Sequence, residues 1–279
     1  MGGQTIVAVG QMCSTSEMKH NLAQAQVLVK KAAAAGAKAL FLPEASDYIS
    51  HSPEETISLV RSVQESTYVQ GLQAEAKKFN IAINAGIHEP GDENSGKIKN
   101  TSIWISENGE IIQRYQKLHL FDMDLKNGPR ARESDTFEEG MSILPPFHTP
   151  VGLVGLLVCF DLRFPEVPLS LKRQGAQIIA YPSAFTVPTG KAHWEILLRA
   201  RAIETQSYVI AAAQVGQHNE NRTTYGHSII ISPWGDILAE LEGTFNGPEI
   251  ATAVIDLSLV KGIRKQVPLR RRTDVYPEL

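Results

Sequence analysis

Three side chains in this sequence have types and positions that suit covalent chemistry at a carbonyl carbon. Cys159 ends the aliphatic run "VGLLVC", Glu44 follows "ALFLP", and Lys117 follows "IIQRYQ". In α/β sheets, reactive groups collect outside the carboxyl ends of strands. A thiol attacks as its thiolate, so it needs a base to take its proton and a cation to stabilise the charge. A glutamate beside a lysine supplies both, and no histidine is then required. Taken singly, each residue has a plainer reading: a small buried thiol, a loop or capping carboxylate, a solvated lysine at a strand end. Taken together they are chemically complete. The segment after Lys117 offers a second carboxylate in "ARESDTFEEG", at Glu133 or at its neighbours Glu138 and Glu139.

Other chemistries lack their signatures. The chain has no G-x-G-x-x-G, no Walker A motif, no H-E-x-x-H and no G-x-S-x-G elbow. Its eight histidines are scattered without ligand spacing, and its two cysteines, Cys13 and Cys159, make neither a disulfide framework nor a zinc motif. Neither a metal nor a cofactor is therefore expected. The formal net charge of −3, from 27 basic and 30 acidic residues, gives no case for a nucleic-acid partner. The longest apolar run, "VGLVGLLVCF", is ten residues and too short for a membrane span. The start "MGGQTIVAVG" is strand-like, with no signal peptide and no Arg-rich transit pattern. A reducing, cytoplasmic setting is expected, with the mitochondrion left open. The sequons at Asn100 and Asn221 then read as chance matches.

The elements that must position these residues alternate. "TIVAVGQM" reads as a buried strand, with Ser14 and Glu17 as a capping box for a helix bearing Met18, Leu22, Ala25, Val29 and Ala32 on one face. "AGAKALFLPE" ends that helix at Gly36 and opens a second strand. A helix near 66–79 and the strand "IAINAGIH" follow, then a polar loop over 89–99 and a hairpin around "ENGE". From Phe121 to Pro146 little periodicity remains, and the charges and prolines suggest a long surface loop, of a kind that is often functional. The alternation then resumes with "LVGLLVC", a helix after Pro165, "AQIIAYP", a helix over about Thr189 to Thr205 and "SYVIAAAQV". In that last helix Ile196, Leu197, Ala200 and Ile203 form the apolar face. A hairpin around Pro233–Gly235 and the strand "IATAVIDL" close the pattern. With no linker and no repeat, one α/β domain spanning 1–279 is expected.

Four ordered motifs, "FLPE", "YQKLHLFD", "VCFDLRFPE" and "YPSAFTVPTGKAHWEILLRARAIE", resemble those of the nitrilase superfamily of carbon–nitrogen hydrolases, and the likeness runs over nearly the whole chain. It is closest to the Nit branch. The resemblance implies a four-layer α-β-β-α sandwich that dimerises through a helical layer, with a C-terminal tail from about residue 262 across the dimer interface. It implies Glu44 as general base, Cys159 as nucleophile, and Lys117 with the backbone N–H of Phe160 as oxyanion donors. Glu133 is the best match to the family's second glutamate.

The same resemblance implies hydrolysis of a primary amide of deaminated glutathione through a thioester, with release of ammonia. Deaminated glutathione is a tripeptide whose N-terminal residue has become a 2-oxo acid. The alternatives are an ω-amidase acting on small 2-oxo acid amides such as 2-oxoglutaramate, and a non-catalytic scaffold on the same fold. Arg163 could fork onto a substrate carboxylate or be tied to Asp161 or Glu166. Tyr48, Phe185, Thr186 and His193 stand beside the motifs as candidate pocket walls.

Overall fold

A computed structural model describes residues 4–124 and 130–277. In chain order the first half holds β1 (Thr5–Gln11), α1 (Met18–Ala34), β2 (Ala39–Phe41), α2 (Pro53–Leu59), α3 (Thr67–Phe79), β3 (Ala82–Pro90), β4 (Ile98–Ile105) and β5 (Ile111–Gln116). A short pair, β6 (Asp122–Asp124) and β7 (Arg130–Arg132), leads to β8 (Phe147–Thr149), β9 (Gly152–Leu156), α4 (Glu166–Arg173), β10 (Ile178–Ala180), α5 (Val187–Thr205) and β11 (Tyr208–Ala211). The chain ends with β12 (Val215–Asn219), β13 (Arg222–Tyr225), β14 (Ile229–Ile231), β15 (Ile237–Glu240), β16 (Glu249–Ile255) and α6 (Leu257–Gln266).

Two six-stranded sheets result, ordered β16-β1-β2-β3-β4-β5 and β15-β14-β11-β10-β9-β8. Strand side chains alternate between faces, and here both faces are covered. On the first sheet Ala8, Leu40, Ile83 and Ile103 pack with Leu28, Val29, Val69 and Leu72 of α1 and α3. Their strand neighbours Val7, Val9, Phe41 and Trp104 turn the other way and join Leu156, Ile179 and Ile210 of the second sheet. Leu171 of α4 and Trp194, Leu198 and Ala202 of α5 complete that core. The architecture is the expected α-β-β-α sandwich. No helix among the described residues is long and apolar enough to cross a membrane.

Several local expectations change. Ser14 and Glu17 form no capping box: Glu17 is the N-cap residue without a side-chain bond, and Ser14 Oγ donates to the Ser46 carbonyl instead. Residues 125–129 of the segment after Phe121 lie outside the described residues, and its described part holds more regular structure than periodicity suggests. It holds β6, β7, a 3₁₀ turn over Glu133–Asp135 and a bridge from Ile98 to Phe137. On α5 the inward stripe is Trp194, Leu198, Arg201, Ala202 and Thr205, whereas Ile196 and Ile203 face outward. The segment from about 262 begins inside α6, where Ile263 is buried and Arg264 donates to Ser207 Oγ of the same chain (2.9 Å).

Candidate active site

The carboxyl ends of β2, β5 and β9 bring three of the candidates to one place. Glu44 follows β2 and is pressed against β3. A Cβ on Gly86 would lie 2.5 Å from the Glu44 Cα, so only glycine permits that approach. Lys117 continues β5 opposite Asn100 of β4, donating its N–H to the Asn100 carbonyl (2.9 Å). Cys159 opens a 3₁₀ turn over Cys159–Arg163 with φ of +43°, in the left-handed region that costs a non-glycine residue about 1–2 kcal/mol.

That turn is stapled by Asp161. Its fully buried carboxylate accepts from the Tyr115 hydroxyl (2.7 Å), the Val158 N–H (3.0 Å), and the N–H (3.0 Å) of His119, whose Nδ1 lies 2.8 Å away. Tyr115 and His119 flank Lys117 in sequence, so one carboxylate ties the lysine strand to the cysteine turn.

Lys117 is 2 % exposed, which excludes the solvated strand end. Its Nζ donates to Glu44 Oε1 (2.9 Å) and to both oxygens of Glu133 (2.9 and 2.8 Å). Asn100 Nδ2 also bridges the two glutamates, at 2.8 Å to Glu44 and 3.1 Å to Glu133. Glu133 further accepts from the Phe121 N–H (2.6 Å). The Cys159 thiol sits where Glu44 and the Ala184 N–H both bear on its ionisation. Among the described residues, no backbone carbonyl accepts from the Phe160 N–H at the start of the turn.

Burial, then the Glu44 charge, pushes the Cys159 thiol well above its ordinary range, against the pull of Lys117. Burial alone would raise Glu44, but the Lys117 charge and hydrogen bonds from Lys117, Cys159 and Asn100 outweigh it and hold it low. Burial works against the Lys117 cation too, and the Glu133 and Glu44 charges overcome it and hold the ammonium on. These shifts favour a protonated thiol beside a charged Lys117 and a charged Glu44.

A cavity of about 660 Å³ opens over this cluster. Glu44, Lys117, Glu133, Cys159, Phe160, Arg163, Tyr48, Phe185 and Thr186 all line it. His193 does not: it is exposed on α5, and its Nδ1 lies 3.3 Å from Arg163 Nη2. Among the described residues Arg163 has no ion pair with Asp161 or Glu166. Its guanidinium lies over the rings of Phe160 (5.5 Å) and Phe185 (5.7 Å). Glu138 accepts from the Asp92 N–H (2.8 Å) in the loop outside the cavity.

Sequence reasoning missed Asn100 and most of the mouth. Ser50, His51 and Thr56 around α2, and Asn219, Asn221, Arg222 and Thr223 of the β12–β13 hairpin, also line the cavity. The signals present were a helix cap at Ser52 before Pro53 and a polar alternation too short to mark a hairpin. Among the described residues no group of three or more His, Cys, Asp or Glu is placed to hold a metal ion.

Fold and cluster together define a hydrolase of the nitrilase superfamily type. Nit3 of Saccharomyces cerevisiae, described as a member of branch 10 of that superfamily, superposes with a TM-score of 0.84 at 32 % identity, covering 96 % of each chain. The carbon–nitrogen hydrolase family pattern matches residues 6–265, and the chain belongs to that family of enzymes. It is 47 % identical to the probable hydrolase nit2 of Schizosaccharomyces pombe, over 99 % of this chain and all of that protein. It is 42 % identical to the deaminated glutathione amidase of Bos taurus, over 98 % of this chain and 84 % of that protein.

Proposed function

We propose that this enzyme is a cysteine amidase that cleaves deaminated glutathione. The observation that carries the reading is that Cys159 and Glu44 line one cavity, with the Glu44 carboxylate held by the buried Lys117. A thiolate at rest would add a third anion around one lysine, so the proton stays on sulfur until attack. Glu44 takes it as the sulfur adds to the amide carbon. Lys117 and the Phe160 N–H hold the oxyanion, a contribution of about 3 kcal/mol per donor. Glu44 then gives the proton to the departing nitrogen, leaving a thioester, and activates water to hydrolyse it. Glu133 and Asn100 hold the lysine in place.

Bovine and other relatives bearing the name deaminated glutathione amidase support the substrate, as does a cavity roomier than a small 2-oxo acid amide requires. The expected ammonia does not fit that substrate. Both amides of such a tripeptide are secondary, so the group expelled from the 2-oxo acid is an amine-ended dipeptide, Cys-Gly. Arg163, beside the nucleophile turn, serves the carboxylate of the 2-oxo acid end. The same reading places the enzyme in a reducing cytoplasm and as a homodimer.

The test is release of 2-oxo acid and dipeptide from deaminated glutathione, with Cys159→Ala as control. The variant is expected to be inactive, and turnover undiminished in it would refute the mechanism. Faster turnover of 2-oxoglutaramate would reassign the substrate, and no turnover of any amide would leave a scaffold.

A further inference from the structure

We propose that the β12–β13 hairpin carries a second carboxylate subsite, centred on Arg222, that reads the free C-terminal carboxylate of the leaving dipeptide. The inference rests on the substrate reading above and adds a site to it.

The charges that line the cavity are unevenly arranged. Its two carboxylates, Glu44 and Glu133, both sit on the floor and are both engaged by Lys117. The other permanent charges are Arg132, Arg163 and Arg222. A floor already holding two anions repels an anionic substrate, so its carboxylates must be met elsewhere in the lining. Arg163 lies four residues beyond Cys159, with its guanidinium over the Phe160 and Phe185 rings. Arg222 belongs to a separate element, and among the described residues its side chain makes no hydrogen bond or ion pair.

An arginine on a floppy tip would lose much of its binding energy in ordering itself, but this hairpin is anchored from three sides. Tyr225 donates its N–H to the Phe185 carbonyl (2.9 Å), and Thr224 bridges Thr186 beside the cysteine turn's neighbours. Buried His218 joins Thr224 Oγ1 (2.7 Å) to the Ser14 carbonyl (2.7 Å). Asn219 Nδ2 donates to the Ser50 carbonyl (2.9 Å) on the facing wall. Arg222 is thus a cation on a braced strand, lining the cavity and available for a planar, two-pronged partner.

Deaminated glutathione carries two carboxylates, one on the 2-oxo end and one on the terminal glycine. Arg163 and Arg222 provide one fork for each. A 2-oxoglutaramate-sized ligand carries a single carboxylate and would leave the hairpin arginine unused. The subsite therefore selects acyl dipeptides that end in a free α-carboxylate.

The experiment compares deaminated glutathione with its C-terminal carboxamide on the intact enzyme. Wild type should favour the acid in kcat/KM by about ten- to hundredfold, mostly through KM, as one charge-assisted contact implies. Arg222→Gln should erase that preference, Arg222→Lys should keep part of it, and added salt should shrink it in wild type. Arg163→Gln should weaken both substrates alike. Equal wild-type turnover of acid and carboxamide, or a preference that survives Arg222→Gln, overturns the subsite while leaving the amidase reading intact. Hydrolysis of neither compound overturns both.

Discussion

At the scale of single residues, the site is governed by how many charges one buried lysine must balance. In the proposed mechanism Glu44 would accept the thiol proton, yet its charge also opposes thiolate formation. Glu44→Gln should therefore split two properties that usually fall together. Turnover should drop by about a hundred- to ten-thousandfold with the loss of the base. The thiol, relieved of the Glu44 charge and still beside Lys117, should become easier to ionise. The measurement is the pH dependence of iodoacetamide labelling at Cys159 by mass spectrometry, and its midpoint should move down. Peptide mapping separates Cys159 from Cys13, a thiol that burial also pushes up, to about 11. Lys117→Gln removes the cation from between two buried carboxylates and should cost about 3–5 kcal/mol in denaturant unfolding. These three residues were legible as a set at the ends of strand-like runs, although each alone had a plainer reading. Asn100 was not: in "NTS" it reads as a sequon, and only the β4–β5 register shows it opposite the lysine.

At the scale of elements, what fixes the chemistry is the joining of segments distant in sequence. Asp161 clamps the cysteine turn to the β5 end through Tyr115 and His119. Tyr115→Phe removes one of those bonds and leaves the strand's packing. It should lower kcat by up to about a hundredfold with KM nearly unchanged, because small misplacements of a reacting group are costly. A fall in Tm with unaltered kcat would reduce Asp161 to a structural tie. The hairpin anchor gives a pH prediction. Burial lowers His218 to about 4, from an ordinary 6.5. Between these values the unfolded chain binds a proton that the folded chain refuses, so stability falls as pH drops from about 6.5 to about 4 and levels off below that. The loss is on the order of 3 kcal/mol. His218→Gln should flatten that part of a Tm-against-pH curve. The βα alternation was readable because buried strands and amphipathic helices have distinct apolar periods. The β12–β13 hairpin was not, since "GQHNENRTTY" is mostly polar and is held by partners rather than by an apolar face. In α2 no residue is buried, so its cap was the sole sequence signal.

At the scale of the whole molecule, α5 carries more apolar surface than one chain can bury. Trp194, Leu198 and Ala202 face the second sheet, while Ile196 and Ile203 remain 70 % and 50 % exposed. These two lie seven residues apart, two turns along one side. Ile203 borders Gly235 in the β14–β15 turn, beside Trp234, which is 60 % exposed. The sequence pattern found this stripe as one apolar face and left its cover open, because periodicity identifies an apolar face without saying what covers it. A second copy of the chain, meeting this layer by a twofold axis, would cover it with the same residues from the other side. The outer layer of one subunit would then pack on that of the next, as the family resemblance implies. Wild-type protein should sediment as a dimer, and Ile196→Asp combined with Ile203→Asp should give a monomer by analytical ultracentrifugation. Neither isoleucine lines the cavity, which α5 meets only at its first turn, so the test is of assembly. A double variant that stays dimeric would move the interface off α5, and a monomeric wild type would leave this stripe as an unfilled surface.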